Sequence, residues 1–336
     1  MKKNIDILLS VVDNYGDMGF ACELMYGLAW VYPDIFHYTL WTDDIAEVSR
    51  FFEKNKHLMP TYQIEPIEQF WSVELSSFCF SLFHGFLPKK ERFTIPACIL
   101  RIDYISLDLG WLQNHRVEHI DSSSDRQIIE IIPSPLLFGW GIFHCSAPSY
   151  SRSRIAHTYH LDEYKKWITL FCYEQTFHNC IDLTHIPEDR EVLILWSRWG
   201  EMDREQWGWK NIHFLSFLNL EEFHHVLAYS QWSIIRGEIS LMNILSLEKP
   251  FFWDMYKMIG GLNTQQSLDF LEYREASPEY QRLHMRLNAQ IPWKITLNEC
   301  ESILFDLDSQ KKSLRYSGKH LIHEVKKYID SFYFSL

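Results

Sequence analysis

The chain has 336 residues, 47% of them apolar and 16% aromatic, a composition that predicts a folded globular protein and excludes a disordered one. This length exceeds what one hydrophobic core usually supports, so two domains are expected. With 44 acidic against 32 basic residues, the formal charge of −12 excludes the basic surface that nucleic acid or an anionic membrane would need. Acidic clefts suit a cationic acceptor better.

Cysteine and histidine usage gives no sign of a metal site. The seven cysteines are scattered and include no C-x-x-C pair, which favours free buried thiols in a reducing cytoplasm over disulfides or zinc. His224 and His225 are adjacent on a predicted helix and point in different directions, so core packing or solvent exposure is expected. The opening MKKNIDILLS has an apolar run broken by Asp6 and Asp13, and neither a signal peptide nor a membrane span is predicted.

Strands and helices alternate through the first part of the chain. IDILLSVV predicts a buried parallel strand, MGFACELMYGLAWVY a helix, and DIFHYTLWTDD a second strand. Further strands are predicted at FCFSLFH and ACILRIDYISLD. This alternation predicts a doubly wound α/β sheet.

The loop VVDNYGDMGF directly follows the first predicted strand and places Asp13 and Asp17 beside Gly16 and Gly19. Ligands of doubly wound sheets bind outside the carboxyl ends of the strands. The G-x-G-x-x-G fingerprint is absent and two carboxylates would repel phosphates, which argues against an NAD-dependent dehydrogenase. The pair suits a proton to accept or a cation to hold. The structural alternative makes Asp17 the N-cap of a helix that begins near Met18, and Asp13 a turn residue.

The pattern weakens between about residues 113 and 165, where HIDSSSDRQ and SAPSYSRSRIAH indicate an inter-domain segment. Strands and helices then alternate again from KKWITLFCYE to PFFWDMY. The sequence therefore predicts two facing Rossmann-like domains, over residues 1–155 and 156–315. Residues 316–336 are predicted to form a C-terminal helix that packs back toward the N-terminal domain.

A second candidate segment spans residues 233–257. A strand is predicted to end at Arg236, Gly237 permits a tight turn, and a helix is predicted to begin near Ser240 with free backbone N–H groups. Beside Arg236, these groups would bind an anion such as a nucleotide diphosphate. The alternative is an ordinary turn in which Glu238 or Ser240 merely caps the helix.

Taken together, these segments resemble the elongation factor P arginine rhamnosyltransferases, GT-B enzymes that transfer rhamnose from dTDP-β-L-rhamnose to an arginine of that translation factor. The matching residues are VVDNYGDMG, WTDD at 41–44, YIS at 104–106, LFCYE at 170–174, and the block from FLNLEEFHHVLA through IIRGEISL to KPFFWDMY. The resemblance implies a GT-B fold with the nucleotide-sugar site in the cleft. It also implies elongation factor P as acceptor and a cytoplasmic location.

The resemblance further implies roles for individual residues. Asp17 is implied as the general base, and Asp13 as a residue that holds the acceptor or the donor. The residues implied at the donor are Asn14, Tyr15, Gly16, Gly19, Phe171, Tyr173, Arg236, Gly237, Glu238, Ile239, Ser240, Phe252 and Tyr256.

The chemistry of the residues agrees with these roles. A guanidinium is protonated and has no free lone pair, so its glycosylation needs carboxylates that orient it and accept a proton. The nucleoside diphosphate that leaves needs positive potential, which Arg236, the hydroxyls of Ser240 and Tyr256, and a helix N-terminus would supply without a metal ion. An inverting, metal-independent single displacement without a cofactor is predicted.

Several residues near the donor segment depart from the family pattern. Ile239 replaces the Asp of R-G-E-D-S, Asp254 and Met255 alter an H-I-Y motif, and Met258 replaces a Gln. Two alternatives follow: a GT-B glycosyltransferase with another donor or acceptor, and a non-catalytic binder of elongation factor P.

Overall fold

The computed structural model divides into two compact units. Unit 1 comprises Met1–Ser106, Gly110–Ile142 and Tyr316–Leu336, and unit 2 comprises Leu107–Leu109 and Phe143–Arg315. The main part of unit 2 thus begins at residue 143, earlier than the predicted 156. The residues that the structure describes are 2–11, 15–70, 78–82, 98–102, 116–123, 126–132, 151–195, 211–215, 217–255, 268, 270–272, 276–289, 294–308 and 321–334.

Unit 1 is built on a seven-stranded sheet. Its strands are β1 (Lys3–Leu9), β2 (Phe36–Thr42), β3 (Tyr62–Pro66), β4 (Phe78–Leu82), β5 (Cys98–Ile102), β6 (Arg116–Ser123) and β7 (Arg126–Ile132). Their order in the sheet is β3-β2-β1-β4-β5-β7-β6, and β6 alone among them runs antiparallel to its neighbour. The first strand, β1, lies inside the sheet, and the order in which strands are added reverses beside it. This reversal confirms the doubly wound arrangement.

The helices of unit 1 cover this sheet and its ends. They are α1 (Tyr15–Val31), α2 (Ile45–Lys54), α3 (Ile67–Phe70) and the C-terminal helix (Leu321–Tyr333), with a 3-10 turn at Lys56–Leu58. The C-terminal helix is fixed to unit 1 by polar and aromatic contacts. Tyr32 donates a hydrogen bond of 2.6 Å to Asp330, and Phe332 packs edge-on against Phe78.

Unit 2 contains a five-stranded parallel sheet and a separate pair of short strands. The strands are β8 (Lys166–Leu170), β9 (Ile181–Asp182), β10 (Arg190–Leu195), β11 (Ile212–Leu215), β12 (Ser230–Arg236), β13 (Phe251–Asp254) and β14 (Ile295–Thr296). The helices are α4 (Arg152–Tyr159), α5 (Glu174–Cys180), α6 (Leu220–Tyr229), α7 (Gly237–Ser246), α8 (Pro278–Ala289) and α9 (Leu297–Asp308). The sheet order is β11-β10-β8-β12-β13, and β9 pairs with β14.

Two segments differ from the predicted inter-domain connection. Of HIDSSSDRQ, residues 119–123 lie in β6 and residues 126–127 in β7, an antiparallel pair at the edge of the unit 1 sheet with an irregularity in register between His119 and Asp121. An edge strand pairs on one side only, so it does not need the apolar run of a central strand. In unit 2, Ser151 caps α4 by accepting a hydrogen bond from the Arg154 amide, so a helix begins inside the predicted loop.

A buried ion pair ties α9 to the amino ends of the unit 2 strands. Arg190, the first residue of β10, donates to both carboxylate oxygens of Glu301 at 2.8 and 2.9 Å. The indole N–H of Trp232, near the start of β12, donates to the same carboxylate. Glu301 therefore lies near the amino ends of the strands, on the side of the sheet opposite their carboxyl ends.

The cysteines of the described part agree with the sequence prediction. Six cysteines there are free and buried, as predicted, and Cys145 lies outside the described residues. No helix in that part is long and apolar enough to cross a membrane.

Candidate functional site

The strand order of unit 2 reverses between β8 and β12, which are parallel neighbours in the sheet. Because the strands point the same way, the residues that follow them emerge at one edge. The segment after β8 carries Phe171 and Tyr173, and β12 ends at Arg236. Such a reversal is the usual place for a ligand crevice in an open α/β sheet.

Arg236 lies against two aromatic rings from the segment after β8. Its guanidinium carbon is 4.7 Å from the ring centre of Phe171 and 5.0 Å from that of Tyr173. The ring of Phe171 also makes an edge-on contact with Phe223. The amide of Phe171 donates a hydrogen bond of 2.7 Å to the Ile234 carbonyl. Three residues predicted from separate segments thus form one cluster, with a cation stacked on aromatic faces.

The turn after β12 is tight, as predicted, but α7 begins earlier than expected. Gly237 has φ of 68° and is already the first residue of α7, whereas the sequence predicted a start near Ser240. Arg236 occupies the N-cap position, and its side chain makes no capping hydrogen bond within the described structure. Ser240 lies buried in the helix rather than at its cap, and the side chain of Glu238 is outside the described ones.

The first-turn amides of a helix have no partners within that helix. In α7 they begin beside Arg236, and Ile239 and Ser240 also lie in this first turn. The helix dipole adds positive potential at the same end. The edge of unit 2 therefore combines a guanidinium, a helix N-terminus and two aromatic rings, a set suited to an anion that carries an aromatic group.

The last residues of β13, Trp253 and Asp254, support this end of the sheet, although the sequence indicated Asp254 only as a departure from a motif. Asp254 accepts hydrogen bonds from the Tyr173 amide at 2.6 Å and from the Thr176 hydroxyl at 2.9 Å. The indole of Trp253 donates to the carbonyl of Gly237 at 3.2 Å. The only available sequence signal was the position of Asp254 at a strand end.

Cys172 lies between the two aromatic residues of this segment and is buried. Burial raises the pKa of its thiol well above the ordinary value, and the negative charge of Asp254 raises it further, while Arg236 opposes the change. The thiol therefore stays protonated and is a poor nucleophile.

Phe252, which the resemblance implied at the donor, lies in the core of unit 2. Its side chain is 1% exposed and stacks on Tyr280, with ring centres 4.9 Å apart. It belongs to a hydrophobic core cluster of unit 2. The structure gives Phe252 a core position, and its place in a nucleotide pocket stays a prediction.

In unit 1, Asp17 is the third residue of α1 and is 2% exposed. The alternative that made it the N-cap of a helix near Met18 is wrong, because α1 begins at Tyr15. A carboxylate in the first turn is favoured by the positive end of the helix dipole. Gly16 and Gly19 also lie within α1.

Asp43, which follows the neighbouring strand β2, fixes the residues that follow β1. Its carboxylate accepts hydrogen bonds from the Ser10 hydroxyl at 2.7 Å and the Val11 amide at 3.0 Å. Its place in WTDD predicts no particular role for this residue. Parallel pairing of β1 with β2 brings it there.

Several predicted residues lie outside the described residues, namely Asp13, Asn14, Tyr256 and Met258, and also the side chain of Tyr15. His224 and His225 are buried in α6, which confirms core packing. Within the described ranges, no group of three or more His, Cys, Asp or Glu side chains could hold a metal ion.

Comparison with known proteins yields one family and a shared fold. A family model described as "Elongation-Factor P (EF-P) rhamnosyltransferase EarP" matches residues 147–324. No curated protein matches the chain.

Three similar solved structures share 15% sequence identity or less with this chain. The S. aureus MnaA-UDP co-structure has a TM-score of 0.51 at 10% identity, with 98% of this chain and 97% of that chain covered. A crystal structure of UDP-N-acetylglucosamine 2-epimerase has a TM-score of 0.52 at 11% identity, with 99% and 97% covered. A structure described as "Structural basis for EarP-mediated arginine glycosylation of translation elongation factor EF-P" has a TM-score of 0.48 at 15% identity, with 98% and 100% covered. The predicted fold class is confirmed as GT-B, with two Rossmann-like domains.

Replacing Gly237 with Ala should destabilise the turn after β12, because only glycine adopts a positive φ there without steric cost. We expect the free energy of unfolding to fall by about 1–2 kcal/mol. Denaturant unfolding followed by circular dichroism measures the change. Gly16→Ala, which changes a glycine within α1, is the control, and an equal loss in both variants would contradict a special requirement at Gly237.

Proposed function

The chain belongs to the Elongation-Factor P (EF-P) rhamnosyltransferase EarP family, and from this premise we propose that it transfers rhamnose from dTDP-β-L-rhamnose to an arginine of EF-P. The observation that carries the proposal is the cluster of Arg236, Phe171 and Tyr173 at the strand-order reversal of unit 2. The cluster supports a nucleotide-sugar site beside the N-terminus of α7.

In this proposal, unit 2 binds the donor. Arg236 and the first-turn amides of α7 contact the diphosphate, and the Ser240 hydroxyl supports them. The rings of Phe171 and Tyr173 keep the guanidinium of Arg236 in one orientation and offer apolar faces to the nucleotide. The positive charge is thereby fixed where negative charge develops as the diphosphate leaves.

In the proposal, the carboxylates that follow β1 orient the acceptor guanidinium and accept its proton. A guanidinium nitrogen of EF-P attacks the anomeric carbon of rhamnose and forms the new C–N bond. The C–O bond to dTDP breaks, and its electron pair leaves with the β-phosphate oxygen. The proton lost by the attacking nitrogen passes to Asp17, while Asp13 holds the guanidinium in orientation.

The configuration at the anomeric carbon inverts because the reaction is a single displacement. In the proposed reaction Arg236 and the helix N-terminus stabilise the leaving group, so no metal ion or further cofactor takes part. Since the acceptor is a translation factor, the proposed place of action is the cytoplasm.

The activity is tested by the intact mass of EF-P from the same organism after incubation with this protein and dTDP-β-L-rhamnose. We expect a gain of one deoxyhexose, and no gain with Asp17→Asn, because an amide cannot accept the proton. The variant should still bind dTDP, since the proposed contacts with the nucleoside diphosphate lie in unit 2.

No gain with the unsubstituted protein and an intact donor would contradict the proposal. The result would then favour another donor, for which Ile239 in place of an acidic residue gives a reason, or a protein that only binds EF-P. Binding isotherms with other nucleotide sugars and with EF-P separate these two outcomes.

Arg236→Lys tests the donor site directly. Lysine keeps the charge but loses the planar fork that stacks on the rings and contacts phosphate in a bidentate manner. We expect the KM for dTDP-rhamnose to rise about tenfold, with the KM for EF-P nearly unchanged.

Arg152→Lys is the matched control. The Arg152 guanidinium also stacks on a ring, that of Trp167 at 4.5 Å, but Trp167 lies near the amino end of β8, away from the proposed site. The donor KM of this variant should equal that of the unsubstituted protein. Equal effects of the two substitutions would argue against a donor role for Arg236.

A further inference from the structure

We propose that Asp254 is a positioning residue for the donor, because its carboxylate fixes the backbone of Tyr173 and thereby the ring on which Arg236 stacks. This inference rests on the proposed function of the site. It concerns a residue that differs from the family motif and does not itself reach the reacting atoms.

The sheet places Asp254 next to the site. In the parallel pairing of β12 with β13, Arg236 lies opposite Asp254 at the last position of both strands. Both residues therefore lie at the carboxyl edge where the segment from β8 also emerges. One more residue in β13 or one fewer would move the carboxylate away from this edge.

The carboxylate is 1% exposed, and both of its oxygens accept hydrogen bonds. One bond comes from the amide of Tyr173, which is the N-cap residue of α5, and the other from Thr176 in the first turn of that helix. Tyr173 makes no side-chain capping bond of its own in the described structure. Asp254 thus caps α5 from a neighbouring strand, where the helix dipole favours its negative charge.

Capping of this kind fixes the conformation of Tyr173. Its backbone has φ of −70° and ψ of 147°, which directs the chain from β8 into α5. The ring of Tyr173 then lies within 5.0 Å of the Arg236 guanidinium. Loss of the carboxylate would leave a partly buried amide without this acceptor and would free the ring from its place beside Arg236.

The residues on either side of Asp254 hold the rest of the same edge. Trp253 donates to the Gly237 carbonyl, and the amide of Met255 donates to Asn288 at 2.8 Å. Three consecutive residues at the end of β13 therefore contact the first residue of α7, the segment after β8, and α8. A buried carboxylate adds little net stability compared with apolar packing, so its contacts with the site explain its presence better than stability does.

The first experiment measures dTDP binding by calorimetry for the unsubstituted chain, Asp254→Ala and Asp254→Asn. We expect affinity about tenfold weaker for the alanine variant and recovery to within about threefold for the asparagine variant, whose side-chain oxygen still accepts from Tyr173. Thr176→Val, which removes one of the two anchors, should weaken binding about threefold.

The matched control is Glu301→Ala, which removes another buried carboxylate with two partners in unit 2, at the opposite edge of the sheet. Its dTDP affinity should equal that of the unsubstituted chain even if its unfolding midpoint falls. Unchanged affinity in Asp254→Ala, or an equal loss in Glu301→Ala, would overturn the inference while the proposed function stands. No binding of dTDP by the unsubstituted chain would overturn both.

A double-substitution cycle tests whether Asp254 acts through Tyr173. If it does, Asp254→Ala should weaken dTDP binding much less in a Tyr173→Ala chain than in the unsubstituted one. If the two losses add fully, Asp254 has a general structural role and the inference fails. Thr176→Val can replace Asp254→Ala in the same cycle.

Discussion

The parallel pairing of β8 with β12 is the constraint on which the candidate site depends. Residues 170 and 234 are paired in register, so the chain leaves both strands at the same edge of the sheet. The Phe171 amide extends this pairing by donating to the Ile234 carbonyl. Arg236 follows two residues later and meets the rings of Phe171 and Tyr173 as a direct consequence. A different strand at this position in the sheet would separate the cation from both rings.

The two units carry opposite charges beside the strand-order reversals of their sheets. In unit 1, the segment between β1 and α1 leads to the carboxylate of Asp17, and Asp43 holds its beginning. In unit 2, β12 ends at the guanidinium of Arg236, beside the N-terminus of α7. Both segments follow a strand that borders the strand-order reversal of its sheet, where ligands usually bind. Unit 1 thus offers carboxylates suited to a cationic acceptor, and unit 2 offers a positive site suited to an anionic leaving group.

Much of this arrangement could be predicted because parallel strands buried on both faces give continuous apolar runs, as in β1, β8 and β12. Gly237 likewise indicated a tight turn, and its positive φ is a conformation that favours glycine. The β6–β7 hairpin could not be recognised, because edge strands tolerate polar residues and HIDSSSDRQ therefore has no strand pattern. The contacts of Asp254 join residues 81 and 78 positions apart, so only tertiary structure shows them. The start of α1 at Tyr15 was missed because a glycine and an aspartate indicated a turn.

The central claim is that the nucleotide end of the donor binds at the strand-order reversal of unit 2, and amide hydrogen exchange with and without dTDP tests it most directly. The account predicts slower exchange on dTDP binding at amides 237–241 of α7 and 173–176 around the start of α5. In the proposed complex the α7 amides contact the diphosphate, and the α5 amides lie next to Tyr173, whose ring stacks with Arg236. Protection confined to the first turn of α1 in unit 1, with no change in the α7 and α5 amides, would contradict the claim.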